Sequence, residues 1–302
     1  MKIKTGYLLL FICFVSCEKA LNVTLPYEGN KFVIFGELSP ESVVSIQIER
    51  TFPPTGEVTF SNSYLNSIKV VLIEDSQEVD ELKIVDNSTI FYSAKLYKPK
   101  VGKTYKVRVK APDFLTAESE PVVIPPPIKI TNFGFAEKEV FSPLNQQVPT
   151  KLLSINFEEL PATATYFVAE IVGVYNQNST SANVISDMTI PDFGSPCAFT
   201  FTSRKQIFNG ECFNKQQNTV SFFVELEGTA ETSINQFQQK KIDAVSIKLS
   251  STTKFYLDFY SQLLPTEGIF KAFETSRATV TNIKNGYGAI LTKNETTVIY
   301  TL

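Results

Sequence analysis

The chain has 302 residues, of which 43% are hydrophobic and none is histidine. The lack of histidine excludes every nucleophile–histidine pair and every histidine-ligated metal site. The formal net charge of −3 argues against nucleic acid as a partner, because nucleic-acid-binding domains are usually strongly basic.

The N-terminus has the pattern of a secretory signal peptide. Lys2 and Lys4 precede an apolar run over residues 7–15, "YLLLFICFV". This run is too short to span a bilayer, which takes about 20 residues. If residues 1–16 are removed, the two lysines leave with them, and the mature chain carries 26 basic residues against 31 acidic ones.

The residues directly before Cys17 resemble the lipobox of bacterial lipoproteins. They are Phe14, Val15 and Ser16, an apolar, a branched and a small residue. In lipoproteins the cysteine after such a motif is lipidated and the bond before it is cut. We therefore expect Cys17 to carry the lipid that holds the chain to a membrane, with residues 17–29 forming the tether. A plain secreted protein is the alternative.

Apolar and polar side chains then alternate with a period of two, as in half-buried β-strands. The clearest cases are Val44, Ile46 and Ile48; Ile68, Val70 and Leu72; and Tyr105, Val107 and Val109. Further strands are predicted over residues 31–37, 89–94 and 118–124. Six or seven short strands within about 95 residues are typical of a β-sandwich. We therefore predict an immunoglobulin-like or prealbumin-like sandwich over residues 30–125.

A stiff, extended boundary is predicted at residues 124–130, "IPPPIKI", because proline fixes φ and cannot donate a ladder hydrogen bond. Beyond it the alternation resumes in further segments. These are residues 153–157, 165–175, 219–227 and 244–249. A second β domain over residues 126–302 follows, so the predicted fold is mainly β with two tandem β-sandwich domains.

A long polar stretch over residues 176–218 interrupts the second domain and contains Cys197 and Cys212. Cys13 leaves with the signal peptide and Cys17 is expected to carry lipid, which leaves these two as an even pair. We expect a disulfide that clips the long loop and is worth ~3 kcal/mol in the chain-entropy model. Two separate reduced thiols are the alternative. Zinc-type Cys-x-x-Cys spacing is absent from the sequence, so no metal is expected.

A short helix is predicted over residues 253–264. Its aromatic and leucine side chains recur at helical spacing, and one of Ser251, Thr252 or Thr253 is the expected N-cap. The stripe consists of Tyr256, Phe259, Tyr260, Leu263 and Leu264, followed by Pro265 and Gly268. Such a stripe is expected to be core. Further on, Asn285-Gly286 predicts a tight turn of the kind found in hairpins.

The acidic segment over residues 74–81, "EDSQEVDE", is predicted to be a solvated hairpin loop. It lacks the spacing of a calcium loop. Glu158 and Glu159 are neighbours on a predicted strand, so they would point to opposite faces and could not act as a close pair. No glycine-rich phosphate loop occurs in the sequence. We expect no catalytic residues, no metal site and no cofactor.

Three segments together resemble the DUF4249 family of outer-membrane lipoproteins of Bacteroidota. They are "KFVIFGELSP" (31–40), the block over 102–130 that ends in the prolines, and "VTNIKNGYGAI" (280–290). The resemblance implies a lipid-anchored protein of the outer membrane, exposed at the cell surface. It further implies a non-enzymatic accessory or ligand-capture partner of a TonB-dependent nutrient transporter, with an unknown ligand. A structural or adhesive surface lipoprotein without a transporter partner is the alternative.

Overall fold

The computed structural model describes residues 27–53, 67–85, 90–141, 149–158, 166–174, 198–202, 205–213, 218–224, 227–232, 236–241, 243–262 and 280–301. The first half of the chain contains strands β1 (Phe32–Leu38), β2 (Ser45–Arg50), β3 (Lys69–Glu74), β4 (Gln77–Ile84), β5 (Phe91–Ser93), β6 (Thr104–Lys110), β7 (Ala117–Ser119) and β8 (Val122–Val123). The chain is mainly β, as the alternation predicts.

In its described residues, the second half contains eleven strands and an α-helix. They are β9 (Ile130–Phe141), β10 (Pro149–Phe157), β11 (Tyr166–Val174), β12 (Ala198–Thr202), β13 (Lys205–Asn209), β14 (Thr219–Val224), β15 (Glu227–Thr232), β16 (Gln236–Lys241), β17 (Ala244–Thr252), α1 (Lys254–Ser261), β18 (Ile283–Lys284) and β19 (Gly286–Thr301).

Most strands belong to one large curled sheet. Its order is β12-β13-β11-β17-β19-β1-β2-β5-β4-β3-β6-β7-β18, with β8 paired to β6. Strands β14, β10 and β9 form a separate three-stranded sheet, and β15 pairs with β16. The order mixes the two halves of the sequence, because β19 lies between β17 and β1.

Strand β19 is the element that joins the halves. Over Gly286–Thr292 it runs parallel to β1, and over Lys293–Thr301 it runs antiparallel to β17. Two tandem sandwich domains are therefore not confirmed. The sequence shows which residues alternate but not which strands pair, and here the last strand adds to the sheet of the first half as well as to that of the second.

Three hydrophobic clusters stabilise this arrangement. The first lies inside the curled part of the sheet and contains Phe32, Ile46 and Tyr105, together with Ile283 and Ile290 from the end of the chain. The second lies between the three-stranded sheet and strands β11, β13, β17 and β19. The third lies under α1, on the outer face of β1, β11, β13 and β19. Burial of this apolar surface is the main term that stabilises the fold.

Helix α1 is present and is shorter than predicted in its described part. Thr253 is the N-cap, without a side-chain capping bond. Ser251 and Thr252 belong instead to β17, where both hydroxyls donate to backbone carbonyls. Tyr256 and Phe259 are buried, which agrees with the prediction that the aromatic stripe is core. Leu263, Leu264, Pro265 and Gly268 lie outside the described residues.

The acidic segment over residues 74–81 is not a loop, contrary to the prediction. Asp75 and Ser76, with φ of 46° and 71°, form a tight turn, and β4 follows at once and pairs with β3. Positive φ at both turn residues matches the right-handed twist of a hairpin. Since β4 has little buried surface of its own, the apolar alternation that marks a strand is weak there.

Part of the predicted loop over residues 176–218 is also a regular structure. Strands β12 and β13 pair with each other, and β13 pairs with β11 at the side of the large sheet. Gln206, Ile207 and Phe208 are buried in consecutive positions of β13. This strand buries both faces, so its sequence lacks the alternation on which the prediction relied.

Candidate functional site

The sequence-predicted site residues lie largely outside the described part. Cys17 and Cys197 are outside it, and Cys212 ends a 3-10 turn, Gly210–Cys212, without a described side chain. The structure therefore tests neither the lipidation of Cys17 nor the Cys197–Cys212 disulfide, and both stay predictions. The structure does show where the segment that follows Cys17 enters the fold.

The described chain enters the fold at one end of the curled sheet, which we call the tether end. There β1 begins, β2, β4 and β6 end, and β3, β5 and β7 begin, as the pairing registers require. The Tyr27 hydroxyl donates to Asn30 Oδ1 at 2.8 Å and lies 3.4 Å from the Thr51 carbonyl oxygen. The Tyr287 hydroxyl donates to Glu28 Oε2 at 3.0 Å. These bonds attach the entering segment to β19 and to the end of β2.

The tether end also carries exposed apolar side chains. In the described part, eleven large apolar side chains are exposed, and six of them lie here: Tyr27, Phe52, Ile84, Val85, Phe91 and Leu115. They include all three exposed aromatic residues of that part. Sequence analysis did not identify this group, because its members come from five separate segments that only the tertiary structure brings together.

The proline segment leaves the curled sheet at the opposite end, which we call the linker end. Asn294 Nδ2 donates to the Pro125 carbonyl at 2.8 Å, and Thr296 Oγ1 donates to the Ile128 carbonyl at 2.7 Å. Asn294 is buried. A buried backbone carbonyl needs a hydrogen-bond donor, and these two side chains of β19 supply one each. The boundary is thus fixed against β19 and is not a free hinge.

A row of alternating charges lies on the outer face of the sheet beside α1. Lys293 Nζ is 2.7 Å from Glu37 Oε1 and 3.7 Å from Glu295 Oε2, and Lys248 Nζ is 3.8 Å from Glu295 Oε1. Burial lowers the pKa of Lys293, but the charges of Glu37 and Glu295 more than offset this, so the pKa is raised. The row is neutralised within itself.

Two tyrosines of α1 adjoin this row. Lys205 Nζ donates to the Tyr256 hydroxyl at 3.1 Å, and it lies 5.5 Å from the centre of the Tyr260 ring, a cation–π distance. Burial raises the pKa of both tyrosines, and the nearby negative charge of Glu37 raises them further. Both hydroxyls therefore stay protonated at neutral pH and act as structural groups.

A second polar cluster lies at the linker end around Glu74. The Tyr105 hydroxyl donates to Glu74 Oε2 at 2.6 Å, Tyr97 donates to the same oxygen, and Lys100 Nζ is 3.5 Å from Glu74 Oε1. Burial alone would raise the pKa of Glu74, but the bonds from Tyr105 and Tyr97 and the charge of Lys100 lower it. This carboxylate is ionised and hydrogen-bonded, which makes it a poor proton acceptor for a substrate.

Two open grooves flank the strands of the first half. One, of about 440 Å³, is lined by Asp75, Lys106, Arg108 and Glu118 among others. The other, of about 590 Å³, lies where β4 leaves β3 and joins β5. In the first groove, Glu118 Oε2 accepts from Arg108 Nε at 2.6 Å, and Asp75 Oδ2 accepts from Lys103 Nζ at 2.6 Å. The carboxylates there are paired with cations across the strands.

The described residues contain no group of three or more cysteine, aspartate and glutamate side chains that could hold a metal ion. Among the same residues, no helix is long and apolar enough to cross a membrane. Chemically, the clusters that are present can neutralise charge and fix strands. Among the described residues, Glu118, Asp75 and Glu74 are each hydrogen-bonded to an arginine, lysine or tyrosine side chain.

Comparison with known proteins gives one result that covers nearly the whole chain. Residues 18–299 match the family described as Domain of unknown function (DUF4249). No curated protein matches the chain. The match begins one residue after Cys17 and ends within β19. The chain therefore belongs to the DUF4249 family.

Proposed function

We propose that the chain is a non-enzymatic lipoprotein, anchored to the outer membrane through Cys17, that partners with a TonB-dependent nutrient transporter. It faces the cell surface of a member of Bacteroidota and helps the transporter to capture or admit a ligand. The lipobox-like residues before Cys17 and the membership of the DUF4249 family support this proposal.

The observation that carries the proposal is the direction of the fold, from the tether end to the second half. The tether segment enters at the tether end, and β19 runs from there past the linker end into the second half. A strand of 16 residues is about 50 Å long at ~3.3 Å per residue. The second half is therefore held at a fixed distance from the tether end, because the two halves share a sheet. A second half held at a fixed distance from the point of attachment suits a protein that docks on a neighbouring transporter.

The second half also offers strand edges for a partner. In the described part, β9 and β14 each pair with β10 alone, and β12 pairs with β13 alone. An edge strand presents unpaired backbone groups to which another chain can add a strand. The predicted Cys197–Cys212 disulfide would clip the segment next to β12, and so hold that edge in place.

The non-enzymatic part of the proposal is supported by the charge pairs. Glu74, Asp75 and Glu118 each accept hydrogen bonds from tyrosine, lysine or arginine side chains. These donors lower the pKa of all three carboxylates, which makes each of them a weaker general base. These carboxylates hold neighbouring segments of the sheet together instead.

The anchor is tested by metabolic labelling with an alkyne-bearing fatty acid. We expect label on the native protein and none on a Cys17→Ala variant, whereas Cys212→Ala should be labelled like the native chain. Label that persists in Cys17→Ala would contradict lipidation at this residue. Non-reducing mass spectrometry of the same samples shows whether Cys197 and Cys212 are bridged.

The partner is tested by a native pull-down from outer membranes in mild detergent, with a tag at the C-terminus. We expect a TonB-dependent transporter in near-equal amount, and its substrate is then the ligand to test. As the control, an unrelated tagged outer-membrane lipoprotein should not recover that transporter.

A structural or adhesive surface lipoprotein is the second candidate, and the shared sheet favours it, since a spacer also needs two halves that do not hinge. If the protein elutes alone in several detergents, the transporter partner is excluded and this second function takes its place.

A further inference from the structure

The tether end differs from the rest of the surface in the kind of side chain that it exposes. Tyr27, Phe52, Ile84, Val85, Phe91 and Leu115 are 37% to 67% exposed. They lie at or next to the strand termini of this one end of the curled sheet, as the pairing registers show. At the linker end the exposed apolar residues are aliphatic: Leu96, Val101 and Val123. Phenylalanine and leucine side chains are among those that surface-bound proteins bury in the membrane interface.

Leu115 is placed there by the local structure. It follows Phe114, whose ring stacks on Phe32 with the ring centres 4.4 Å apart. Asn285 Nδ2 donates to the carbonyl of Thr116 on its other side at 3.1 Å. The backbone on both sides is thus fixed, and the leucine side chain between them is left 67% exposed.

The tether is short enough to keep this end within reach of the membrane. Ten peptide bonds separate Cys17 from Tyr27, which at full extension reach about 35 Å at most. Tyr27 is itself hydrogen-bonded at the tether end. When the acyl chains on Cys17 are in the bilayer, the tether therefore keeps the tether end within about 35 Å of the lipid.

We propose that the tether end is a lipid-contacting surface that seats the protein upright on the membrane in which its own anchor lies. The occupant is the interfacial layer of that membrane, and the contact is apolar and aromatic. An apolar contact does not need attraction to anionic lipid, so the negative net charge of the chain is consistent with it. This inference rests on the proposed anchor at Cys17 and adds the orientation of the fold, with the second half directed away from the lipid.

The chain has no tryptophan, so one introduced tryptophan reports its own position without background. The experiment uses Leu115→Trp and, at the opposite end, Leu96→Trp, a matched leucine that is 79% exposed. A hexahistidine tag replaces residues 1–17, and vesicles of phosphatidylcholine with nickel-chelating lipid hold the rest of the chain. Quenching by brominated phosphatidylcholine then measures the depth of each tryptophan.

We expect Leu115→Trp to lose most of its emission in brominated vesicles and to shift to the blue, and Leu96→Trp to stay unchanged. Phe52→Trp, at the tether end, should behave like Leu115→Trp. Equal quenching at both ends, or none at the tether end, would overturn the proposal. A blue shift without vesicles that grows with protein concentration would show that a second copy covers this surface, and would also overturn it.

The tag supplies the attachment, so this result does not depend on lipidation of Cys17. Failure of the fatty-acid labelling with quenching at Leu115→Trp would reject the anchor and keep the lipid-contacting surface. Labelling at Cys17 without quenching would keep the anchor and reject the surface.

Discussion

The two parts of β19 share one strand but lie in different surroundings. In the first part, Gly286–Thr292, the strand is parallel to β1, and the four consecutive residues from Ala289 to Thr292 are buried. In the second part, Lys293–Thr301, it is antiparallel to β17, and its last residues alternate between half-buried and exposed. The difference shows that the burial of a residue here depends on which layer covers it, and not on its type or its strand.

The hydrogen bonds differ in the same way. In the second part, backbone groups are satisfied by β17. In the first part β17 is no longer alongside, and side chains of the preceding segment take its place. Asn282 donates to the Ile290 carbonyl and accepts from the Ile290 N–H, both at 2.9 Å, and Thr281 donates to the Gly288 carbonyl at 2.8 Å. The predicted turn at Asn285 is present. The strands on its two sides, β18 and β19, pair with β7 and β1 and not with each other.

The largest effect is expected for Gly288→Ala. Gly288 has φ of +98°, and an added Cβ would lie 2.0 Å from the Ile34 carbonyl oxygen, a backbone atom of β1 that cannot move without breaking the ladder. We expect a loss of at least ~4 kcal/mol in the free energy of unfolding, measured by urea denaturation. Gly102→Ala is the control, because it has φ of +74° with nothing within 4 Å of the new Cβ. An equal loss in both variants would mean that backbone conformation alone, and not the approach to β1, makes Gly288 necessary.

A matched pair of substitutions to alanine measures how much the packing of α1 on β19 stabilises the fold. Leu291 and Ile299 are an even number of residues apart, so they share a face of the strand, but Leu291 is 1% exposed under α1 and Ile299 is 66% exposed. We expect Leu291→Ala to lose about 3 kcal/mol in the free energy of unfolding and Ile299→Ala to change it by less than ~0.5 kcal/mol. Similar losses at both sites would contradict the difference between the two parts.

The side chain of Asn282 takes the place of a neighbouring strand for Ile290, and Asn282→Ala tests this role. The change leaves both the N–H and the carbonyl of Ile290 without their partner in a buried place, so we expect a loss of about 2–3 kcal/mol. The amide of Ile290 should also gain in hydrogen-exchange rate. The control is Asn285→Gly, three residues further on and exposed, which removes a bond to Thr116 and relieves a φ of +59°. A stable Asn282→Ala variant would mean that water can reach Ile290.

The smallest effect concerns alkaline pH at the row of charges. The pKa values of Tyr256, Tyr260 and Lys293 are raised in the folded state, so the folded chain binds protons more tightly than the unfolded chain. Stability is then fully present below the unfolded tyrosine pKa of about 10 and falls as pH rises above it.

Each such group steepens the fall by at most ~1.4 kcal/mol per pH unit. Tyr256→Phe should therefore reduce the slope of unfolding free energy against pH above pH ~10, whatever its effect at pH 7, and leave the slope due to Tyr260 and Lys293. Phe255→Leu, a change on α1 without a titrating group, is the control. An unchanged slope in Tyr256→Phe would show that this hydroxyl titrates as it does in water.

Much of the local structure follows from the sequence. The alternation over β1, β2 and β6 identifies half-buried strands, because period-two burial leaves a direct trace in the choice of residues. The spacing of Tyr256 and Phe259 identifies α1 for the same reason. Strand β4 was missed, since an exposed strand has no apolar face to show, and β13 was missed because it is buried on both faces.

By itself, the sequence determines the β class, the helix, the proline boundary and the lipobox-like start, all of which are local in the chain. Only the tertiary structure decided that β19 lies between β1 and β17, and that Tyr27, Phe52 and Leu115 meet at one end. Strand pairing depends on contacts between residues more than 250 positions apart, such as Phe32 with Gly286. Local propensity and periodicity carry no information on such pairs, because they are selected by the packing of the whole core.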